Sequence, residues 1–170
     1  MLALGNLLTE DRINELNIKT QNEARQEVLP SATEFEEIKV KGLGEGDYKT
    51  VQNVYVGKND GNAVGYCVGV APSGFGGPIE MVVGIDSEGK VTGVTIVNSS
   101  ETPGLGSKAA EPKFKGQYKG KSTDSPLKVI KSGTPADNEI VAISGATITS
   151  NAVTQGVNSA VKVIKEKINQ

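Results

Sequence analysis

Two short segments of the sequence combine residue types that can hold a ligand. The first, residues 101–106 (ETPGLG), places a glycine on each side of Leu105, and glycine lets another group approach the backbone closely. The second, residues 144–150 (SGATITS), crowds four hydroxyl groups directly before a predicted helix. The first N–H groups of a helix lack intrahelical partners, and together with the positive end of the helix dipole they bind phosphate. The second segment therefore predicts an anion site.

Each segment also has an ordinary structural interpretation, and the residue types alone leave both interpretations open. Residues 101–106 fit a Pro-Gly turn at the end of a hairpin. Residues 144–150 fit a helix N-cap with spare hydroxyls, a feature worth about 1 kcal/mol. The Walker A pattern of nucleotide-binding loops does not occur in the sequence.

The composition excludes several classes of site. The 170 residues include no histidine, no tryptophan and one cysteine, Cys67. Ser-His-Asp and Cys-His arrangements need an imidazole as their base. Structural zinc sites and iron–sulfur clusters need about four Cys or His ligands, and disulfides need pairs of cysteines. Any demanding chemistry must therefore rely on a reactive group that the protein borrows from a cofactor.

Apolar residues in the middle of the chain predict two adjacent β-hairpins, which together favour an antiparallel sheet. The predicted strands and turns, in chain order, are residues 51–56, turn 60–61, 63–70, then 79–85, turn 86–89 and 90–97. A glycine-rich loop, residues 71–78, separates the two hairpins.

Helical spacing appears near both ends of the chain. Residues 9–28 predict a helix with Thr9 as N-cap, and a longer apolar stripe predicts a second helix near the C-terminus. The stripes are Ile13, Leu16, Thr20, Ala24 and Val28 in the first, and Val153, Val157, Ala160, Val161, Ile164 and Ile168 in the second. Four prolines make residues 98–140 mostly irregular. The predicted fold is α+β, with a twisted antiparallel sheet built from hairpins and packed with an N-terminal and a C-terminal helix.

The two ligand-holding segments together resemble the FMN-binding domain that the RnfG and NqrC subunits of membrane redox complexes share. That family carries FMN as a phosphoester on the threonine of an (S/T)GAT motif, where a dedicated flavin transferase attaches it. The match here is Ser144-Gly-Ala-Thr147, and ETPGLG at 101–106 is a second family hallmark. The resemblance covers about residues 50–165, and it implies that FMN is attached covalently to Thr147.

The resemblance also implies a set of FMN-binding residues around Thr147, and no metal. Glu101 and Thr102 are expected to hydrogen-bond to polar edges of the isoalloxazine ring, and Leu105 is expected to face it. The expected cofactor-binding residues are Glu101, Thr102, Gly104, Leu105, Gly106, Ser144, Gly145, Ala146, Thr149 and Ser150.

Two positions depart from the family pattern. Family members often carry a histidine just before residue 101, where this chain has Ser99 and Ser100. They also often have an acid three residues before the motif serine, where this chain has Val141, with Asp137 and Glu139 as acids close by. Neither departure affects Thr147.

By this resemblance the protein is an electron-transfer subunit of an Rnf-type ferredoxin:NAD oxidoreductase, a membrane-bound and ion-translocating complex, with no substrate turnover of its own. The expected partners are the other subunits and, during maturation, the flavin transferase. The family implies an N-terminal membrane anchor and a domain on the extracytoplasmic face, so this chain is expected to be a soluble truncation. Residues 1–8 are then the stub after the anchor, 9–34 the N-terminal helix and linker, and 35–170 the FMN-binding domain.

Two alternatives stay open at this point. One is a module that binds flavin or another anion noncovalently. The other is the equivalent NqrC-type subunit of a sodium-pumping NADH:quinone oxidoreductase, although the length and the compact ending favour RnfG.

Three further features have less specific interpretations. Seven lysines occur between residues 108 and 131, and the two aromatic residues among them are too few to indicate nucleic-acid binding. A solvated surface is expected there, with an acidic redox partner as the alternative. Cys67 is expected to be a buried apolar residue. Phe75, in the glycine-rich loop, either shields a flavin or pins the loop.

Overall fold

The computed structural model describes residues 2–168, together with the side chains of residue 12 and of residues 15–168. Helices and strands are mixed, and the α+β prediction is confirmed. The elements are α1 (Leu2–Val28), β1 (Glu34–Ile38), β2 (Val51–Asn59), β3 (Asn62–Val70), β4 (Glu80–Asp86), β5 (Val91–Asn98), α2 (Pro112–Lys115), β6 (Lys128–Ile130), β7 (Glu139–Val141) and α3 (Thr147–Val163).

The main sheet is an antiparallel meander of five strands in the order β1-β2-β3-β4-β5. Both predicted hairpins are confirmed, β2 with β3 and β4 with β5. Asp60 and Gly61 have φ values of 51° and 81°, as the tight turn between twisted antiparallel strands requires. In the second turn the Asp86 carboxylate accepts the N–H groups of Glu88 and Lys90, each at 2.9 Å.

The two faces of the sheet bury different helices. The apolar stripe of α3 packs on one face, where Val153, Val157 and Ala160 are fully buried among valines of the sheet. The other face receives the end of α1, where Val28 packs with Cys67 and other apolar residues. Cys67 is buried as predicted, and desolvation raises the pKa of its thiol to about 12, so it is inert at neutral pH.

The N-terminal helix differs from the prediction in two respects. It begins at Leu2, so Thr9 lies inside the helix and is not its N-cap. Ala24 and Val28 of the predicted stripe are buried, but Leu16 is 62 % exposed; the side chain of Ile13 lies outside the described residues. Residues 15–20 are all exposed, because α1 reaches the sheet only near its C-terminal end. None of the helices within residues 2–168 is long and apolar enough to span a bilayer.

The segment predicted to be irregular contains short elements that periodicity does not reveal. Strands β6 and β7 form a separate parallel pair of three residues each, too short to show an alternating pattern. Short helical turns over residues 106–118 bring Phe114 and Tyr118 into the core beside α3. The Tyr118 hydroxyl shares a 2.7 Å hydrogen bond with that of Thr154 on α3. The strand β1 lies outside the two predicted hairpins and pairs with β2.

A pair of glycines allows α1 to approach the sheet closely. Gly84 and Gly93 face each other across β4 and β5. A Cβ on Gly84 would collide with the carbonyl oxygen of Val28, the same oxygen that accepts the Thr92 hydroxyl. A Cβ on Gly93 would meet Val28 Cα at 3.5 Å, which is an ordinary contact.

We expect Gly84→Ala to lower the free energy of unfolding by about 1–3 kcal/mol, because the added methyl must displace the end of α1. Gly93→Ala is the matched control, and its effect should be clearly smaller. Urea unfolding of the two variants measures the difference. Equal losses would contradict the close packing of α1 at Gly84.

Candidate functional site

The sheet brings three separate segments of the chain together at one end. The glycine-rich loop precedes β4, residues 99–106 follow β5, and Glu80 at the start of β4 pairs with Asn98 at the end of β5. Because the two strands are antiparallel, the loop and residues 99–106 leave the sheet side by side. The first turn of α3 completes the arrangement. A cleft of about 390 Å³ lies between them and is lined by Phe75, Glu101, Thr102, Leu105, Gly106 and residues 145–149.

A buried carboxylate, Glu101, joins these three segments. Its Oε1 accepts the N–H of Gly76 at 2.7 Å, and its Oε2 accepts the N–H of Phe75 at 3.2 Å. Oε2 also accepts the hydroxyl of Thr149, in the first turn of α3. The carboxylate is therefore an internal brace that connects the glycine-rich loop to α3. Its predicted hydrogen bonds to the edges of a ring stay a prediction, since its observed bonds go to protein groups.

The same hydrogen bonds determine the charge of Glu101. Desolvation is the largest single influence and raises its pKa, but the bonds from Thr149, Gly76 and Phe75 together outweigh it. The pKa of Glu101 is therefore below the ordinary glutamate value, and the side chain is ionised at neutral pH although it is only 7 % exposed.

Glycine occurs at Gly104, Gly106 and Gly145 for different physical reasons. Gly104 has φ +76° with open space around it, so glycine serves the turn conformation there. A Cβ on Gly106 would lie 2.7 Å from Thr149 Oγ1 and 2.8 Å from Glu101 Cβ, so glycine leaves room for the brace. A Cβ on Gly145 would lie 3.2 Å from Leu105 Cδ2, which shows that the two segments touch.

The first turn of α3 is not capped by a side chain. Ala146 occupies the N-cap position, with φ −138° and ψ 48°, and makes no side-chain cap hydrogen bond. The interpretation of residues 144–150 as an ordinary hydroxyl N-cap is therefore wrong. Within residues 2–168, no acceptor pairs with the N–H groups of Thr147, Ile148 or Thr149. These donors are left for an anion or for solvent.

The four hydroxyls of residues 144–150 have different environments. Thr149 and Ser150 are buried. The Ser150 hydroxyl donates to the carbonyl of Ala146 at 2.8 Å and accepts the N–H of Ile143 at 2.9 Å. Ser144 is exposed but faces a different cavity, of about 550 Å³, beside Phe114. Only Thr147 among the four is both exposed and part of the cleft lining.

Apolar side chains form the other part of the cleft. Phe75 is 69 % exposed, Ile148 57 % and Leu105 43 %. In the described part of the chain just two other large apolar side chains are as exposed as these, Leu16 and Ile18 on α1. A concentration of exposed apolar surface in one concave site is typical of ligand binding.

The sequence profile of the FMN-binding domain family matches residues 74–162, which is more than half of the chain. The chain belongs to the FMN-binding domain family. The matched residues contain every part of the cleft, from the glycine-rich loop to the first turn of α3.

Two relatives of this FMN-binding domain protein are named as G subunits of oxidoreductase complexes. It is 44 % identical over 95 % of its length to the G subunit of the Na(+)-translocating ferredoxin:NAD(+) oxidoreductase complex of Acetobacterium woodii, of which the match covers 82 %. It is 36 % identical over 96 % of its length to the G subunit of the ion-translocating oxidoreductase complex of Methanosarcina acetivorans, of which the match covers 85 %. The predicted resemblance to the RnfG/NqrC family is thereby confirmed.

Solved structures show the same fold. The NqrC structure from Shewanella oneidensis has a TM-score of 0.71 at 17 % identity, with 90 % of this chain and 98 % of that chain covered. The C subunit of the Na(+)-translocating NADH-quinone reductase of Parabacteroides distasonis has a TM-score of 0.65 at 22 % identity, with 91 % and 95 % covered. At these identities the likeness concerns the fold alone.

The structure brings together most of the residues that the sequence singled out. Gly104 and Ser150 lie beside the cleft lining, and Ser144 faces away from it. Sequence reasoning did not name Ile148, and it did not foresee that Glu101 binds the glycine-rich loop. Spacing gives no signal for that contact, since Glu101 is 25 residues from Gly76.

We expect Glu101→Gln to lower the free energy of unfolding by about 1–3 kcal/mol at neutral pH, because an amide NH₂ would face a backbone donor. The pKa of Glu101 is lower in the folded protein than the unfolded value of about 4.3. The carboxylate thus stabilises the fold above that pH, and the stabilisation is lost as the pH falls through the folded pKa.

Denaturant unfolding between about pH 6 and pH 3 measures both effects. The variant should lose less stability on acidification than the parent protein. Glu111→Gln, at an exposed position, is the control and should follow the parent. Identical acid profiles for the parent and Glu101→Gln would contradict the brace.

Proposed function

We propose that this protein is the FMN-carrying electron-transfer subunit of a membrane-bound, ion-translocating redox complex, and that it holds FMN as a phosphoester on Thr147. The observation that carries the proposal is the position of Thr147. Its exposed hydroxyl lies in the first turn of α3, in a cleft whose other surfaces are largely apolar.

The residues of the cleft fit the two chemically different parts of FMN. The N–H groups of Thr147, Ile148 and Thr149 have no acceptor among the described residues and suit a phosphate. The exposed side chains of Leu105, Ile148 and Phe75 suit a flat, largely apolar ring system. The relation between the two parts in space follows from Glu101, which connects the glycine-rich loop with α3.

FMN supplies the electron-accepting chemistry that this chain lacks. In this proposal the residues of the chain attach, bind and shield the cofactor. Thr147 supplies the oxygen of the ester, the first turn of α3 binds the phosphate, and the apolar side chains exclude water from one surface of the site. Glu101 holds the glycine-rich loop beside the first turn of α3 through bonds to Phe75, Gly76 and Thr149.

The partners in the proposal follow from the relatives. Acetobacterium woodii and Methanosarcina acetivorans proteins are named as subunits of ion-translocating oxidoreductase complexes, and this chain is at least 36 % identical to both. We infer that it works beside the other subunits of an Rnf-type complex and that a flavin transferase loads it. An N-terminal membrane anchor, a domain on the extracytoplasmic face and a domain starting near residue 35 belong to the same proposal.

Intact mass after co-expression with an active flavin transferase tests the attachment. The parent protein should gain the mass of FMN minus water, and Thr147→Ala should gain none, because the ester oxygen is missing. Ser87→Ala removes an exposed hydroxyl in the turn between β4 and β5, outside the cleft, and it should load like the parent.

An unmodified parent protein, or a modified Thr147→Ala variant, would overturn the covalent proposal. Flavin that co-purifies with the parent but separates on denaturation would favour the noncovalent alternative.

A further inference from the structure

The glycine-rich loop, residues 71–78, is held by its backbone and does not depend on the side chain of Phe75. The N–H groups of Phe75 and Gly76 donate to Glu101. Inside the loop the Gly74 N–H donates to Gly77 O, and the Ile79 N–H donates to Pro72 O, both at 2.8 Å. The Phe75 ring is 69 % exposed, so it does not anchor the loop by burial.

The glycines on either side of Phe75 are required by close contacts. A Cβ on Gly76 would collide with the carbonyl oxygen of Ser100. A Cβ on Gly74 would lie 2.5 Å from Glu101 Oε1 and 2.7 Å from Ile79 Cδ1. The loop is thus pressed against residues 100–101, and within residues 74–77 the only side chain beyond hydrogen belongs to Phe75.

Glu101 also connects the backbone of Phe75 to the helical turn that carries Thr147. One of its oxygens, Oε2, binds both the N–H of Phe75 and the hydroxyl of Thr149. Thr149 is two residues beyond Thr147 in the same helical turn. The backbone that carries the aromatic ring and the turn that carries Thr147 are therefore connected through a single atom.

We propose that Phe75 is a positioning residue that packs its ring on the isoalloxazine of FMN held at Thr147 and thereby sets the exposure of the flavin to water. This inference rests on the proposed function. Aromatic rings favour stacked or edge contacts with other flat π-systems, and the bond from its N–H to Glu101 holds the backbone of Phe75 beside the cleft. An apolar wall also disfavours added charge, so it lowers the tendency of the flavin to accept electrons.

The test uses the full chain loaded with FMN and compares Phe75→Ala with the parent and with Ile18→Ala. Ile18 is a matched control, because it is 61 % exposed on α1 and lies outside the cleft. Loading is first established by intact mass. Iodide quenching of flavin fluorescence then reports exposure, and a redox titration reports the midpoint potential.

Phe75→Ala should raise the iodide quenching constant by about twofold or more, since it removes one of three apolar walls. It should also shift the midpoint potential upward, while Ile18→Ala leaves both unchanged. Phe75→Tyr, which keeps the aromatic ring, should restore the parent quenching constant.

A loaded Phe75→Ala variant with parent-like quenching and potential would overturn this inference and leave the proposed function standing. A parent protein that takes up no FMN would overturn both. Unfolding of the proteins without FMN distinguishes a contact between Phe75 and the flavin from a role of Phe75 in packing the loop. A clear loss of stability in unloaded Phe75→Ala, absent from Ile18→Ala, would assign the ring to loop packing and overturn the inference.

Discussion

The hydrogen-bonded carboxylate of Glu101 is the interaction on which the site depends. An ionised carboxylate is strongly disfavoured away from water unless donors satisfy it, and here the donors come from two other segments of the chain. The glycine-rich loop belongs to no strand of the sheet, and these bonds attach its Phe75–Gly76 backbone to Glu101. Moving the carboxylate would break its bonds to the loop and to the first turn of α3 at the same time.

The sheet makes this interaction possible. Antiparallel pairing of β4 with β5 places the chain before one strand beside the chain after the other. Glycine then allows the approach, because side chains at Gly76 or Gly106 would occupy the space of Ser100, Glu101 or Thr149. The high glycine content of the chain, 21 of 170 residues, reflects packing contacts of this kind as well as turns.

A protein without histidine and with one buried cysteine has few reactive groups of its own. Membership of the FMN-binding domain family gives this composition a physical meaning. In the proposed function the side chains of the cleft bind and orient FMN and exclude water from it, and the redox chemistry belongs to the cofactor. The structure accordingly separates hydroxyls with a structural function, Thr149 and Ser150, from the exposed hydroxyl of Thr147.

The sequence by itself determined the hairpins, the C-terminal helix and the family, because turn chemistry, periodicity and the two motifs are local properties. The strand β1 and the parallel pair β6–β7 were decided by tertiary pairing, which leaves little local pattern in short segments. Only the fold decided that Glu101 braces the glycine-rich loop and that Ser144 faces away from Thr147. The physical reason is distance along the chain: Glu101 meets Gly76 and Thr149 only after the sheet and α3 have brought their segments together.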